Sequence, residues 1–405
     1  MKIVFALLLL FILSIVSSCS TSDVELKDLT KGDKANTNSA LVTPQIPLKI
    51  EPVNLDVEFN EELGKVWSNY FTEDFTDSKA MTIYVVTNRN LKQGNTLGCS
   101  DDYLGVNADK TVRNIACKIN VPKNHSTGEI QIASDNRQSS HEYFKVLGIK
   151  SFEQNVMLES LKKSQRTPLV FVHGFNVKFQ EAIFRAAQIA YDLKYQGPVI
   201  LFSWPAGAGD GFLDDKLLNK TYKNNSQSAK DSVSVFKDFI DVLYKLNIKI
   251  NLVVHSMGHQ VVLPALNQWA QARSTALDKK IINELILNAP DFEINQFEKL
   301  AESIKSISKR VTLYCSFNDS AMVASEVMNK NKRLGGCAQI DSLDTVNVSL
   351  IDAPAMGVVG LGHGYYSSRP LLTDFFQVLL GIDAEKRLFI RKSEPNSTEK
   401  YYLRP

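Results

Sequence analysis

A serine stands at the apex of the stretch IKINLVVHSMGHQVVLPAL, residues 248–266. An apolar run ends at Val254, Ser256 follows, and from Gly258 the apolar residues recur at helical spacing. The pattern reads strand, sharp turn, helix. Such a turn lifts a hydroxyl clear of the backbone and leaves the next residue's N–H free to face a developing oxyanion. Ser256 is therefore the candidate nucleophile, and acyl transfer is the chemistry it suggests. One feature of the usual G-x-S-x-G elbow is missing, since Val254 occupies the place of the first glycine.

Acyl transfer by serine needs a base for the hydroxyl proton, an acid to fix the base's tautomer, and donors for the oxyanion. Histidines stand at 125, 141, 173, 255, 259 and 363. When the serine sits on a strand-to-helix turn of a parallel sheet, acid and base follow it in chain order. His363, in the glycine-bearing stretch VVGLGHGYYSSRP, meets that condition. For the acid, Asp319 after VTLYCS is preferred, because the penultimate strand is the usual source. Asp291 after LILNAP is the alternative, and a helix cap is its competing role. Asp352 is a third choice. The oxyanion donors are the N–H of Met257 and that of Phe175, in the loop His173-Gly174-Phe175-Asn176. His173 and His259 read as structural, and His255 should point sideways into the loops. A metal held by His255, His259 and a carboxylate is poorly supported, because His255 precedes the helix and no Glu follows it.

The elements that must position these residues are regular. From residue 168 strand and helix patterns alternate, with strands at 168–174, 198–204, 250–256, 282–290, 311–316 and 346–352. Helical patterns cover 178–194, 226–245, 257–272, 294–308, 320–330 and 370–381. The strands are short, β-branched and nearly continuously apolar, as when helices cover both faces of a parallel sheet. This predicts an α/β fold with a doubly wound, mostly parallel sheet over residues 151–385. A small β-rich region over 56–150 precedes it, with strands at 81–87, 115–122 and 128–134 and a helical pattern at 60–70. Residues 386–405 read as a tail. The insertion 207–225, with Phe212 and Leu217-Leu218, fits a lid over an acyl pocket or a plain surface loop equally well.

Six segments in order, FVHGFN, FSWPAG, VVHSMGH, NAPD, YCSFNDSAM and GHGYYSS, resemble the DUF900 group of bacterial α/β-hydrolases, esterase- and lipase-like in pattern. The likeness runs over about residues 80–380 and includes the TNR segment at 87–89. It implies the α/β-hydrolase fold, with Ser256 as nucleophile, Asp319 as acid and His363 as base. It says little about substrate.

The chain start has its own logic. Residues 3–16, IVFALLLLFILSIV, follow Met1-Lys2 and are too short an apolar run for a comfortable membrane span. Val16-Ser17-Ser18-Cys19 resembles the lipobox of bacterial lipoproteins. That resemblance implies a signal peptide over 1–18, a diacylglycerol thioether on Cys19 and, with Ser at position 20, the outer membrane. A plain secretory signal is the alternative. Residues 19–55 are polar and read as a tether. Four cysteines remain, and in an oxidising compartment locality selects 99–117 and 315–337 among three pairings. The 405 residues carry a formal net charge of +2 and no long basic run, which gives no support for nucleic-acid binding. The expected activity is that of a membrane-anchored serine hydrolase cleaving an ester or another acyl bond in a small lipid-like substrate, without metal or organic cofactor. A binding lipoprotein on a hydrolase scaffold and an acyltransferase are the alternatives.

Overall fold

The computed structural model describes residues 79–404, apart from 93, 95, 133–141, 152–153, 208–214, 274–279, 338–339, 341–342, 350–362, 366–367 and 398. The leader, Cys19, the tether, the helical pattern at 60–70, Asp352 and Phe212 lie outside the described residues, as do the side chains of Leu217 and Leu218.

Among the described residues, eleven strands form one sheet. In chain order they are β1 (Lys79–Leu91), β2 (Leu104–Val121), β3 (Lys145–Ser151), β4 (Leu169–Val172), β5 (Val199–Ser203), β6 (Ile250–His255), β7 (Ile282–Asn288), β8 (Ser308–Cys315), β9 (Asp344–Asn347), β10 (Ile390–Lys392) and β11 (Tyr401–Leu403). Their spatial order is β10-β11-β9-β8-β7-β6-β4-β5-β1-β2-β3. The run from β11 to β1 is parallel, and β10, β2 and β3 add antiparallel pairings at the two edges. The doubly wound, mostly parallel sheet expected from the strand texture is the observed one.

Helices α1 (Gln154–Ser164), α4 (Val233–Lys245), α5 (His259–Gln271) and α6 (Ile294–Ile307) cover one face of the sheet. Helices α2 (Phe179–Asp192) and α8 (Arg369–Leu379) cover the other. Two more, α3 (Asp215–Asp231) and α7 (Ser320–Asn329), stand near the carboxyl ends of the strands. Successive strand residues serve opposite faces, as the period of two requires. Val170, Leu252, Val254 and Leu285 enter the core under α4 and α5, while Phe171, Val253 and Ile286 enter the core under α2 and α8. Val254, at the missing glycine's position, is therefore a fully buried core residue beside Val172 and Met257.

Two segments differ from their sequence patterns. Residues 128–132 form no strand, because the Gly128 N–H is held by Asp192 Oδ2 at 2.8 Å and its carbonyl by Arg185 Nη1 at 2.8 Å. The third strand is instead Lys145–Ser151, paired with β2. Residues 390–392 and 401–403 supply β10 and β11, which extend the far edge beyond β9.

The chain runs outward from β4 to β5, then returns to β6 on the other side of β4. Such a reversal opens a crevice at the strands' carboxyl ends, where open α/β sheets hold their ligands. Ser256 follows β6 there, and the loop His173–Val177 follows β4.

Candidate functional site

Ser256 opens a 3-10 turn, Ser256–Gly258, between β6 and α5. Its φ is +51°, a left-handed conformation that a side-chain-bearing residue adopts only when its surroundings enforce it. The surroundings are close. A Cβ on Gly258 would stand 2.6 Å from the His173 carbonyl, and one on Gly174 would stand 2.7 Å from Ser256 Cβ. Both glycines let the end of β4 and the start of α5 press against the turn. The Ser256 carbonyl accepts from His259 Nδ1 at 2.7 Å and from the Asp291 N–H at 3.2 Å.

The Ser256 Oγ lies 2.7 Å from His363 Nε2, and His363 Nδ1 lies 2.7 Å from Asp319 Oδ2. Tyr365 also donates to Asp319 Oδ2, at 2.8 Å. The other oxygen of Asp319 caps α7, accepting the N–H groups of Ala321 and Met322 at 3.0 and 3.1 Å. A carboxylate so placed accepts from both neighbours, which assigns the proton to Nδ1 and leaves Nε2 to accept from the serine. All three side chains are buried, with Asp319 only 1% exposed.

Three histidines around the site, His173, His255 and His259, are held neutral. Burial, assisted by the nearby His363, pushes the His255 pKa well below its ordinary value. Burial pulls those of His259 and His173 down to about 3, with the Arg89 charge contributing at His173. His255 Nε2 donates to the His363 carbonyl at 3.2 Å, and the two rings stand 4.8 Å apart. His141 lies outside the described residues. Among the described residues, no group of three or more His, Cys, Asp or Glu side chains is arranged to hold a metal ion.

Asp291 is engaged elsewhere. Its Oδ2 accepts from Tyr222 at 2.8 Å, and its Oδ1 accepts from Ser325 at 2.5 Å and pairs with Arg333 Nε at 3.2 Å. It does not cap α6, whose N-cap is Glu293. The alternative acid is therefore a strut, and Asp319 is the carboxylate brought to His363.

The candidate oxyanion donors flank the serine. The Met257 N–H lies in the opening turn of a helical segment, where the backbone donors have no partner within the turn. The Phe175 N–H makes no hydrogen bond to any described residue, whereas the next N–H, of Asn176, donates to Asn225 Oδ1 at 3.1 Å. Asn225 also bonds both backbone groups of Gly207, and the Tyr222 ring packs 5.7 Å from that of Phe175. Within the insertion that read as lid or loop, residues 215–225 are thus the start of α3, and Tyr222 and Asn225 brace the loop after β4.

The geometry places a serine hydroxyl within hydrogen-bond reach of a buried, oriented imidazole on an open α/β sheet. The family model for alpha/beta hydrolases of unknown function (DUF900) matches residues 149–382, more than half of the chain. The chain belongs to this family. No curated protein and no solved structure matches it. The DUF900 match covers β4 to α8, and so includes Ser256, Asp319 and His363 along with the loop after β4.

Both disulfides expected from locality are present, Cys99–Cys117 and Cys315–Cys337, with Cα separations of 5.9 and 5.0 Å. The second ties the end of β8, four residues before Asp319, to the loop that carries Arg333. Tyr365, Tyr222, Asn225 and Arg89 are the site residues that the sequence patterns did not single out. Their one common signal is a polar side chain inside a quoted motif or an insertion.

Proposed function

We propose that this DUF900 hydrolase is a serine hydrolase that cleaves an ester or another acyl bond through an acyl-enzyme on Ser256. The observation that carries the reading is the buried chain from Ser256 Oγ through His363 to Asp319, 2.7 Å at each step, on a turn with positive φ. His363 Nε2 takes the hydroxyl proton as Oγ attacks the acyl carbon. The carbonyl oxygen becomes an oxyanion facing the Phe175 and Met257 N–H groups. The imidazolium, stabilised by Asp319, then protonates the departing alkoxide, and water repeats the sequence to release the acid. The chemistry needs no cofactor.

A fluorophosphonate probe tests this. It should label the wild-type chain at Ser256 and leave Ser256→Ala unlabelled; labelling that survives the substitution, or wild type that does not react, overturns the reading. A panel of esters of graded acyl length then assigns the substrate class. We further propose that Cys19 carries the lipid that holds the enzyme at the membrane, on the strength of the apolar leader and V-S-S-C. Mass spectrometry of the mature chain should find a diacylglyceryl adduct on an amino-terminal Cys19.

A further inference from the structure

Arg89 ends the TNR segment of β1 and is fully buried. Taking a guanidinium out of water is costly unless every donor is met. Here the donors are met without a carboxylate in hydrogen-bond contact. Nε donates to Ser203 Oγ at 2.9 Å, and Nη1 to the carbonyls of Gly105 at 3.1 Å and Ala206 at 2.7 Å. Nη2 donates to the Val177 carbonyl at 2.9 Å and approaches His173 Nε2 at 3.3 Å. The residue thus gathers the start of β2, the exit of β5 and the loop after β4 around one rigid fork.

His173 passes this constraint on. Its Nε2 accepts from Arg89, so the proton sits on Nδ1, which donates to the Gly174 carbonyl at 3.1 Å. Trp204 stacks on the ring at 5.3 Å and donates Nε1 to the His173 carbonyl at 2.8 Å. The Gly174 carbonyl and the Phe175 N–H belong to one peptide group. In a trans peptide they point in opposite directions, and the described chain contains no cis bond. Holding that carbonyl on the imidazole therefore turns the Phe175 N–H away from His173. On the far side of Phe175, the Asn176 N–H and the Val177 carbonyl are fixed by Asn225 and Arg89. The loop is pinned on both sides of the Phe175 N–H, which has no partner among the described residues.

We propose that Arg89, acting through His173, is the positioning residue of the oxyanion loop, fixing the Gly174–Phe175 peptide with its N–H toward Ser256. The proposal rests on the reading of Ser256 as nucleophile. The imidazole of the relay does not titrate near neutral pH. Burial, with the Arg89 charge, keeps His173 neutral down to about pH 3, so Nε2 remains an acceptor. Losing the relay should lower the height of the pH–rate profile and leave its limbs in place.

The test compares the full chain with Arg89→Met on a short-chain nitrophenyl ester. The variant should lose about 10²-fold in kcat, the effect of one oxyanion donor, at nearly unchanged KM. It should bind a trifluoromethyl ketone more weakly by a similar factor, as expected of a transition-state mimic. The far-downfield proton resonance of His363 Nδ1 should persist, because the Asp319 contact is untouched. A kcat within threefold of wild type, or a loss of activity accompanied by loss of that resonance, overturns the proposal. Should Arg89→Met not fold, His173→Asn and His173→Leu replace it. Asn retains a donor for the Gly174 carbonyl and should keep at least tenfold more kcat than Leu; equal values overturn the relay. Failure of the hydrolase reading itself would be seen earlier, as unreactive wild type, and would take the relay down with it.

Discussion

Asp319 and Asp291 follow neighbouring strands of the same sheet, and both are buried. Each carboxylate accepts from a tyrosine hydroxyl and contacts a nitrogen of one basic side chain. The basic partner of Asp319 is His363, and that of Asp291 is Arg333. An imidazole can give up and regain its proton near neutral pH, while a guanidinium keeps its charge. In the proposed mechanism the same kind of carboxylate serves proton transfer in one place, and in the other it holds loops together. Asp291 works through structure. Its N–H steadies the Ser256 carbonyl, and its side chain joins α3, α7 and the loop bearing Arg333. The type and exposure of an acidic residue do not reveal its role; the protonation chemistry of its partner does.

The sharpest way to break this comparison is to neutralise each carboxylate in turn. Asp319→Asn keeps an oxygen to cap α7, so the fold should persist. The amide cannot hold His363 in the right tautomer, and kcat should fall by about 10⁴-fold, measured on any ester the wild type turns over. Asp291→Asn should do the opposite. Leaving Arg333 buried without its counter-charge should cost about 3 kcal/mol in urea unfolding, with a far smaller loss of kcat. A reversal of these two results would exchange the roles. Tyr365→Phe removes one donor to the Asp319 carboxylate and should cost about 1–2 kcal/mol of its stabilisation, or roughly tenfold in kcat.

Glu284 gives the smallest effect and extends the comparison to a carboxylate with a poor partner. Burial raises its pKa from 4.5 to about 7, although Arg310 Nε lies 3.3 Å away. Between those values the folded chain binds more protons than the unfolded one, so stability should fall as pH rises through this window. Thermal melts across the range should show a flatter pH dependence for Glu284→Gln. An unchanged slope would mean that Arg310 offsets the burial of Glu284 in full.

Much of the sheet's centre was legible because each strand there is buried on both faces and reads as an apolar run. The order serine, aspartate, histidine was legible for a different reason, since the fold fixes which loops can reach the turn. The edges were not. GEIQIAS alternates like a strand, but Ile130 alternates because it packs under α2, and Asp192 and Arg185 hold the adjoining backbone. The true edge strand, KVLGIKS, has largely exposed residues and no such pattern. Strands β10 and β11 are three residues each, too short for a period to register. Arg89 was legible only as a letter in a motif. Its burial depends on carbonyls from three distant segments, which no local spacing encodes.

With Ser256 as the proposed nucleophile, its left-handed backbone bears on which residues could take its place. A residue branched at Cβ is a steric outlier at positive φ, so threonine, chemically a close cousin of serine, is disfavoured here by shape alone. Cysteine has no such branch. Descendants of this fold that exchange the attacking atom therefore have a passable route from oxygen to sulfur and a blocked one from primary to secondary alcohol, before any question of reactivity arises.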